Sequence, residues 1–166
     1  MEKKYWKESA AQLQRIVLPE DTNVYGNLYG GRLVEWIDNV ASIVAFRHAR
    51  RKAVTGSIDS LFFMSPIRMG DIVSLDGRIN FVTTSTMEIE VNVYSEEGTT
   101  GDRRFTTNAF LTYVAVDDLG HPTRVPQLIL KTEEDKRRYA EAEQRNIVRK
   151  RNLEIVKRAM REKASE

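Results

Sequence analysis

The chain of 166 residues has no cysteine, only two histidines and no long apolar run. Without cysteine there is no disulfide within the chain, no thiolate metal site and no thiol nucleophile. His48 and His121 are too far apart to suggest a metal cluster. No G-x-S-x-G elbow and no plausible histidine partner are present, so a serine triad is not expected. No P-loop occurs, and Gly26, Gly30 and Gly31 do not make the dinucleotide fingerprint. No segment reaches the roughly 18 apolar residues that cross a bilayer. The start, MEKKYWKESAAQ, is charged without an apolar stretch, so neither a signal peptide nor a membrane partner is expected, and a cytoplasmic location is. A net charge of +2 gives no global field for nucleic acid. Basic residues crowd the last third, but Glu143, Glu154 and Glu162 break the run and no aromatics interleave for base stacking, so no nucleic-acid partner is expected.

What is present has the balance of an ordinary globular domain. Residues 10–18 read as a short strand that Pro19 to Thr22 end, followed by the glycine-rich turn NVYGNLYGG at 23–31. A helix is predicted over about 30–51, with Leu33, Trp36, Ile37, Val40, Val44 and Phe46 as its apolar stripe. A second face carries Gly31, Val34, Asp38, Ala41 and Ala45, small side chains apart from Val34 and one carboxylate. This pattern places Asp38 inside rather than in solvent. Strands follow at 53–63, 72–82, 86–95 and about 104–116, the middle two with clean period-two alternation. Short links favour antiparallel pairing, so the class is α+β, one long helix packed on a curved sheet. The core domain is expected to span 1–130. Residues 131–166 are expected to form a basic helix opened by the capping box of Thr132 and Asp135, too sparse in apolar residues for a core element and suited to an exposed or oligomer-contacting arm.

The residues left to carry chemistry are Asn23, Asn27, Gly30, Gly31 and Asp38. Glycine at a helix start exposes its backbone N–H, and the helix dipole adds positive potential, a suitable place to polarise a carbonyl. Asp38 lies about two turns on, roughly 10–12 Å along the axis, too far to serve a carbonyl held at its own helix start. A second copy of the helix, packed antiparallel, would bring one chain's Asp38 to the other's glycines, and a two-fold axis would create two equivalent sites. Each feature alone has a plainer reading. The glycines make a tight turn, the asparagines are turn formers, and Asp38 pairs with Arg32 or Arg47 or sits at an exposed edge. His48 reads as a solvated or capping residue near the helix end.

The segment PEDTNVYGNLYGGRLVEWIDNVA at 19–41 resembles the signature of hotdog-fold acyl-CoA thioesterases, notably the cytosolic long-chain acyl-CoA hydrolases and their single-domain bacterial relatives. FMSPIRMGDIV at 63–73, STMEIEVNV at 85–93, TYVAV at 112–116 and VPQL at 125–128 extend the resemblance in order. It implies the hotdog fold, a long central helix wrapped by a curved antiparallel sheet, here with an added C-terminal helix. It implies hydrolysis of acyl-CoA to free fatty acid and coenzyme A, with Asp38 as the catalytic carboxylate and Asn23 as its polar partner from the facing subunit. Gly30 and Gly31 hold the carbonyl oxygen, and Asn27 ranks below Asn23. Asp38 as general base and Asp38 as nucleophile both stay open. No cofactor is implied beyond the coenzyme A of the substrate. Arg68, Arg103 and Arg104, with Thr84 and Ser85 as hydroxyl donors, are the candidates for the coenzyme A phosphates. The expected assembly is a homodimer or a trimer of dimers. The alternative is a hotdog protein that binds acyl-CoA without cleaving it.

Overall fold

The computed structural model describes residues 2–165. The first unit, up to Ile129, is built on helix α1 (Gly30–Ala49) and strands β1 (Lys3–Tyr5), β2 (Ala11–Ile16), β3 (Lys52–Ile58), β4 (Ile72–Val82), β5 (Thr86–Glu96), β6 (Arg103–Val116) and β7 (Gln127–Ile129). Five strands form one antiparallel sheet in the order β2-β4-β5-β6-β3. Register shifts between Ile79 and Phe81, Val93 and Tyr94, and Thr55 and Ser57 add local twist that curls the sheet about α1.

The strand periodicity fixes which face meets the helix. Val73, Leu75 and Ile79 of β4, Met87, Ile89, Val91 and Val93 of β5, and Leu111 and Tyr113 of β6 are all buried with Leu33, Trp36, Ile37, Val40 and Val44 of α1. Burying each of the larger side chains stabilises the fold by about 1.5–3 kcal/mol. Gly77 marks the closest approach, since a Cβ there would lie 2.6 Å from Val40 Cγ1 and 2.9 Å from Val44 Cγ2. Phe46, placed in the apolar stripe from the sequence, is half exposed instead.

Three further features depart from the sequence reading. The strand expected over 53–63 stops at Ile58. The shift at Gly56 and the weak strand formers Asp59 and Ser60 release the chain, which leaves Phe62 and Phe63 exposed. A short parallel pair, β1 with β7, joins residues 124 positions apart, with Lys3 opposite Gln127 and Tyr5 opposite Ile129. Three-residue strands carry no periodicity to detect.

His48 is the third correction. It is fully buried rather than solvated, with Nε2 2.8 Å from the Pro126 carbonyl oxygen. Lys4 Nζ reaches the His48 carbonyl at 2.9 Å, so the N-terminal segment covers the end of α1. Burial holds the imidazole pKa below its ordinary 6.5, and Lys4 adds to that while the bond to Pro126 opposes it.

The second unit runs from Leu130 and consists of α2 (Glu133–Lys163). The capping box forms as expected: Asp135 N–H donates to Thr132 Oγ1 at 3.1 Å, and Thr132 N–H donates to Asp135 Oδ2 at 3.0 Å. Ile147, Val148, Leu153, Ile155, Val156 and Met160 are exposed along its second half. No helix among the described residues is long and apolar enough to cross a membrane.

Candidate active site

The glycine-rich turn is held by its own polar groups. Asn23 N–H donates to the Asn27 carbonyl at 2.8 Å, and Asn23 Oδ1 accepts from Tyr25 N–H at 3.0 Å and Asn27 N–H at 3.2 Å. Gly26 takes the turn at φ 75°, in the left-handed region. The side-chain nitrogen of Asn23 takes no part in these bonds. Leu28 N–H donates to Ile67 O at 2.7 Å, which ties the turn to the 63–69 segment.

Helix α1 then begins without a side-chain cap on Tyr29 and without an acidic residue in its first turn. Tyr29 O accepts from Arg32 and Leu33, so the N–H groups of Gly30 and Gly31 lie ahead of the first helical bonds. Gly30 lines a cleft of about 300 Å³ together with Asn23, Asn27, Leu28, Leu33, Phe63, Met64, Ser65, Pro66, Ile67 and Thr106, and Gly31 is the next residue of the helix. The Phe63 ring lies over Gly30, where an added Cβ would sit 3.4 Å from the ring edge. An uncapped helix start beside an amide side chain and an apolar wall offers hydrogen-bond donors next to apolar surface.

Asp38 is elsewhere on the same helix, half-buried rather than enclosed. Thr55 Oγ1 of β3 donates to its Oδ1 at 3.0 Å, and Tyr113 Oη of β6 lies 2.6 Å from the same oxygen. Neither arginine considered from the sequence pairs with it. Arg32 binds Asp21 at 3.3 Å and Glu35 at 2.8 Å, and Arg47 donates to the Ala10 carbonyl. The chain therefore brings Asn23, Asn27 and the two glycines together and holds Asp38 seven residues past Gly31, roughly 10 Å along the axis.

The residues assigned to phosphates divide into two groups. Arg68 bridges to Asn27, near the cleft. Arg103 stacks on Tyr94 at 4.2 Å, and Arg104 donates to Ser95 at 3.1 Å with Asp71 3.8 Å away. Thr84 and Ser85 occupy the β4–β5 hairpin, at the far end of 11-residue strands, about 30 Å away at 3.3 Å per residue. One protomer does not unite them.

Sequence reasoning missed Thr55, Tyr113 and Ser42. A signal for two of them was present. Tyr113 falls in phase with Leu111 and Ala115, so it points inward and its hydroxyl needs a polar partner. Asp38 and Ser42, four residues apart on α1, offer one.

Residues 25–101 match the thioesterase superfamily model. The chain is 42% identical over 149 residues to the uncharacterized acyl-CoA thioester hydrolase YkhA of Bacillus subtilis, covering 90% of this chain and 87% of that one. It is 36% identical to the cytosolic acyl coenzyme A thioester hydrolase of Rattus norvegicus, where 84% of this chain spans only 37% of the relative's length. An apo-hexameric acyl-CoA thioesterase superposes with a TM-score of 0.87 at 40% identity, over 92% of this chain and 98% of that one. The acyl-CoA hydrolase of Staphylococcus aureus, solved with butyryl coenzyme A, coenzyme A and coenzyme A disulfide, gives 0.88 at 32% identity over 99% of both. That enzyme has also been solved with an aspartate, an asparagine or a threonine replaced by alanine.

Proposed function

The chain belongs to the thioesterase superfamily and has the hotdog fold, and from that premise we propose that it hydrolyses acyl-CoA thioesters to free fatty acid and coenzyme A at sites shared between subunits. The observation that carries the reading is the separation on α1 of an uncapped amide end from a carboxylate. A carbonyl oxygen at Gly30 and Gly31 is out of reach of the same chain's Asp38, whereas a two-fold partner supplies one.

The open edge of β3 is the place for that partner. Among the described residues it has no neighbour on its outer side, and it exposes Val54 and Ile58. Two-fold pairing of edge strands is antiparallel, which sets the α1 helices antiparallel as well. In the Staphylococcus aureus enzyme the replaced asparagine precedes the replaced aspartate by 15 positions, and the threonine follows it by 17. Asn23, Asp38 and Thr55 repeat that spacing here.

In the reaction, the thioester oxygen gains charge against the Gly30 and Gly31 N–H groups. Asp38 either takes a proton from an attacking water or adds to the carbon itself, and Asn23 orients the water or the carbonyl. Collapse of the tetrahedral centre breaks the carbon–sulfur bond. In the general-base route the proton held by Asp38 passes to the departing sulfur, giving coenzyme A and the fatty acid. In the nucleophilic route coenzyme A leaves as the thiolate, and water then cleaves the Asp38 anhydride, which frees the fatty acid, restores the carboxylate and releases the proton the thiolate takes up. Only water and the thioester are consumed, so no cofactor is called for. Arg68, Arg103 and Arg104 form the phosphate-facing group of one chain, and Thr84 and Ser85 reach a phosphate only from another copy. The assembly is a dimer or a trimer of dimers, at work in the cytoplasm.

Turnover of an acyl-CoA panel by wild type and Asp38→Ala tests the reading. The variant should keep coenzyme A binding and lose at least about 10³-fold in kcat. Retained turnover would remove Asp38 from the reaction, and a wild type that binds acyl-CoA without cleaving it would show that the protein only carries its ligand.

A further inference from the structure

Asp38 is held by more than its neighbours on the helix. The Tyr113 hydroxyl, on a side chain only 1% exposed, lies 2.6 Å from Asp38 Oδ1, 3.0 Å from the Asp38 carbonyl oxygen and 2.8 Å from Ser42 Oγ. A phenol has one hydrogen to give. The shortest contact is in the range of an O–H donor on a carboxylate, stronger than a bond to a neutral carbonyl, so the hydrogen belongs to Oδ1. The Ser42 contact must then run the other way, with Ser42 donating to the phenol oxygen. Thr55 also donates to Oδ1, at 3.0 Å. Oδ1 thus receives two donors, and Oδ2 receives none among the described residues.

We propose that Tyr113, itself held by Ser42, is a positioning residue that locks the Asp38 carboxylate by Oδ1 and so leaves Oδ2 as the atom presented to water or to the thioester carbon. This rests on the reading of Asp38 as the reactive carboxylate, and it serves either chemical role of that group. Burial, and then the bond to Asp38, push the Tyr113 pKa up to about 12, so the phenol keeps its hydrogen throughout the working range. A carboxylate anchored at one oxygen loses its freedom to rotate before the reaction, which is where orientation lowers the barrier. Tyr113 touches neither water nor substrate in this scheme.

The test compares steady-state hydrolysis of acyl-CoA by the intact oligomer of wild type, Asp38→Ala, Tyr113→Phe and Ser42→Ala, with thermal melting beside it. Phenylalanine keeps the ring and removes only the hydroxyl. Tyr113→Phe is expected to lower kcat about tenfold, the effect of one charge-assisted hydrogen bond, with KM within about twofold of wild type. Ser42→Ala leaves the Tyr113 ring and hydroxyl in place and should lower kcat about threefold, a weaker second link in the same chain. It also carries the test should Tyr113→Phe fail to fold. An unchanged kcat in Tyr113→Phe, or in Ser42→Ala where that variant stands alone, overturns the proposal. A rise in KM that accounts for the whole loss overturns it too. An active Asp38→Ala sinks the functional reading itself, whereas a dead Asp38→Ala beside a fully active Tyr113→Phe removes only the lock.

Discussion

The two halves of the site on α1 are built in opposite ways. The amide half, around Gly30 and Gly31, is open, has no side-chain cap, and borders exposed aromatic residues such as Tyr29 and Phe63. The carboxylate half, around Asp38, is tied to two strands by Thr55 and Tyr113. The difference fits what each half does in the proposed reaction. Amide donors aimed by the helix backbone are already rigid and need access. A carboxylate on a rotatable side chain needs to be fixed. Each half lacks what the other has, which is the physical reason to expect them to meet across subunits.

The strongest way to break this comparison after Asp38→Ala is to remove an amide hydrogen. Gly31→Pro deletes one donor in the first helical turn, where proline is tolerated, and the Tyr29 ring, 2.7 Å from an added Cβ, is exposed enough to swing aside. It should lower kcat by about 10²–10³, read in a steady-state assay; a wild-type rate would remove the glycine amides from the reaction. Asn23→Ala should cost less, about tenfold, because backbone bonds still hold the turn after its side-chain bonds are lost. Gly77→Ala probes the scaffold under both halves. Its Cβ would press on Val40 and Val44, so the variant should be destabilised by about 1–3 kcal/mol in denaturant unfolding with kcat kept.

The smallest effects are in pH. Tyr113 has a folded pKa raised from 10.0 to about 12. Its stabilising contribution is therefore complete below pH 10 and is lost as pH rises toward 12, so Tyr113→Phe should show a shallower alkaline fall in melting temperature than wild type. His48 shifts the opposite way, below 6.5. Its contribution is present above 6.5 and is lost as pH falls through the folded value, so His48→Gln should soften the acid-side loss.

How legible all this was in the sequence depended on the length of each pattern. Helix α1 and strands β4 to β6 carry long periodic runs and were read to within a residue or two. Strands β1 and β7 are three residues each and depend on a partner far along the chain. His48 was misread because its neighbours, arginines 47, 50 and 51, look like a solvated helix end. The cover comes from Lys4 and Pro126, which no local pattern links to it. The residues of the amide half were readable because they are consecutive. Thr55 and Tyr113 come to Asp38 from strands 17 and 75 residues away, so only the fold reveals the lock.

The central claim is that each site draws its carboxylate and its amides from different chains. Subunit mixing measures this directly. Asp38→Ala and Gly31→Pro chains, each purified inactive, are co-refolded in equal amounts and assayed for acyl-CoA hydrolysis. With sites shared across a two-fold axis, half of the random pairs carry one intact site of their two, so activity should return to about a quarter of wild type. A mixture as inactive as its components would contradict the account, because each chain would then be using its own carboxylate.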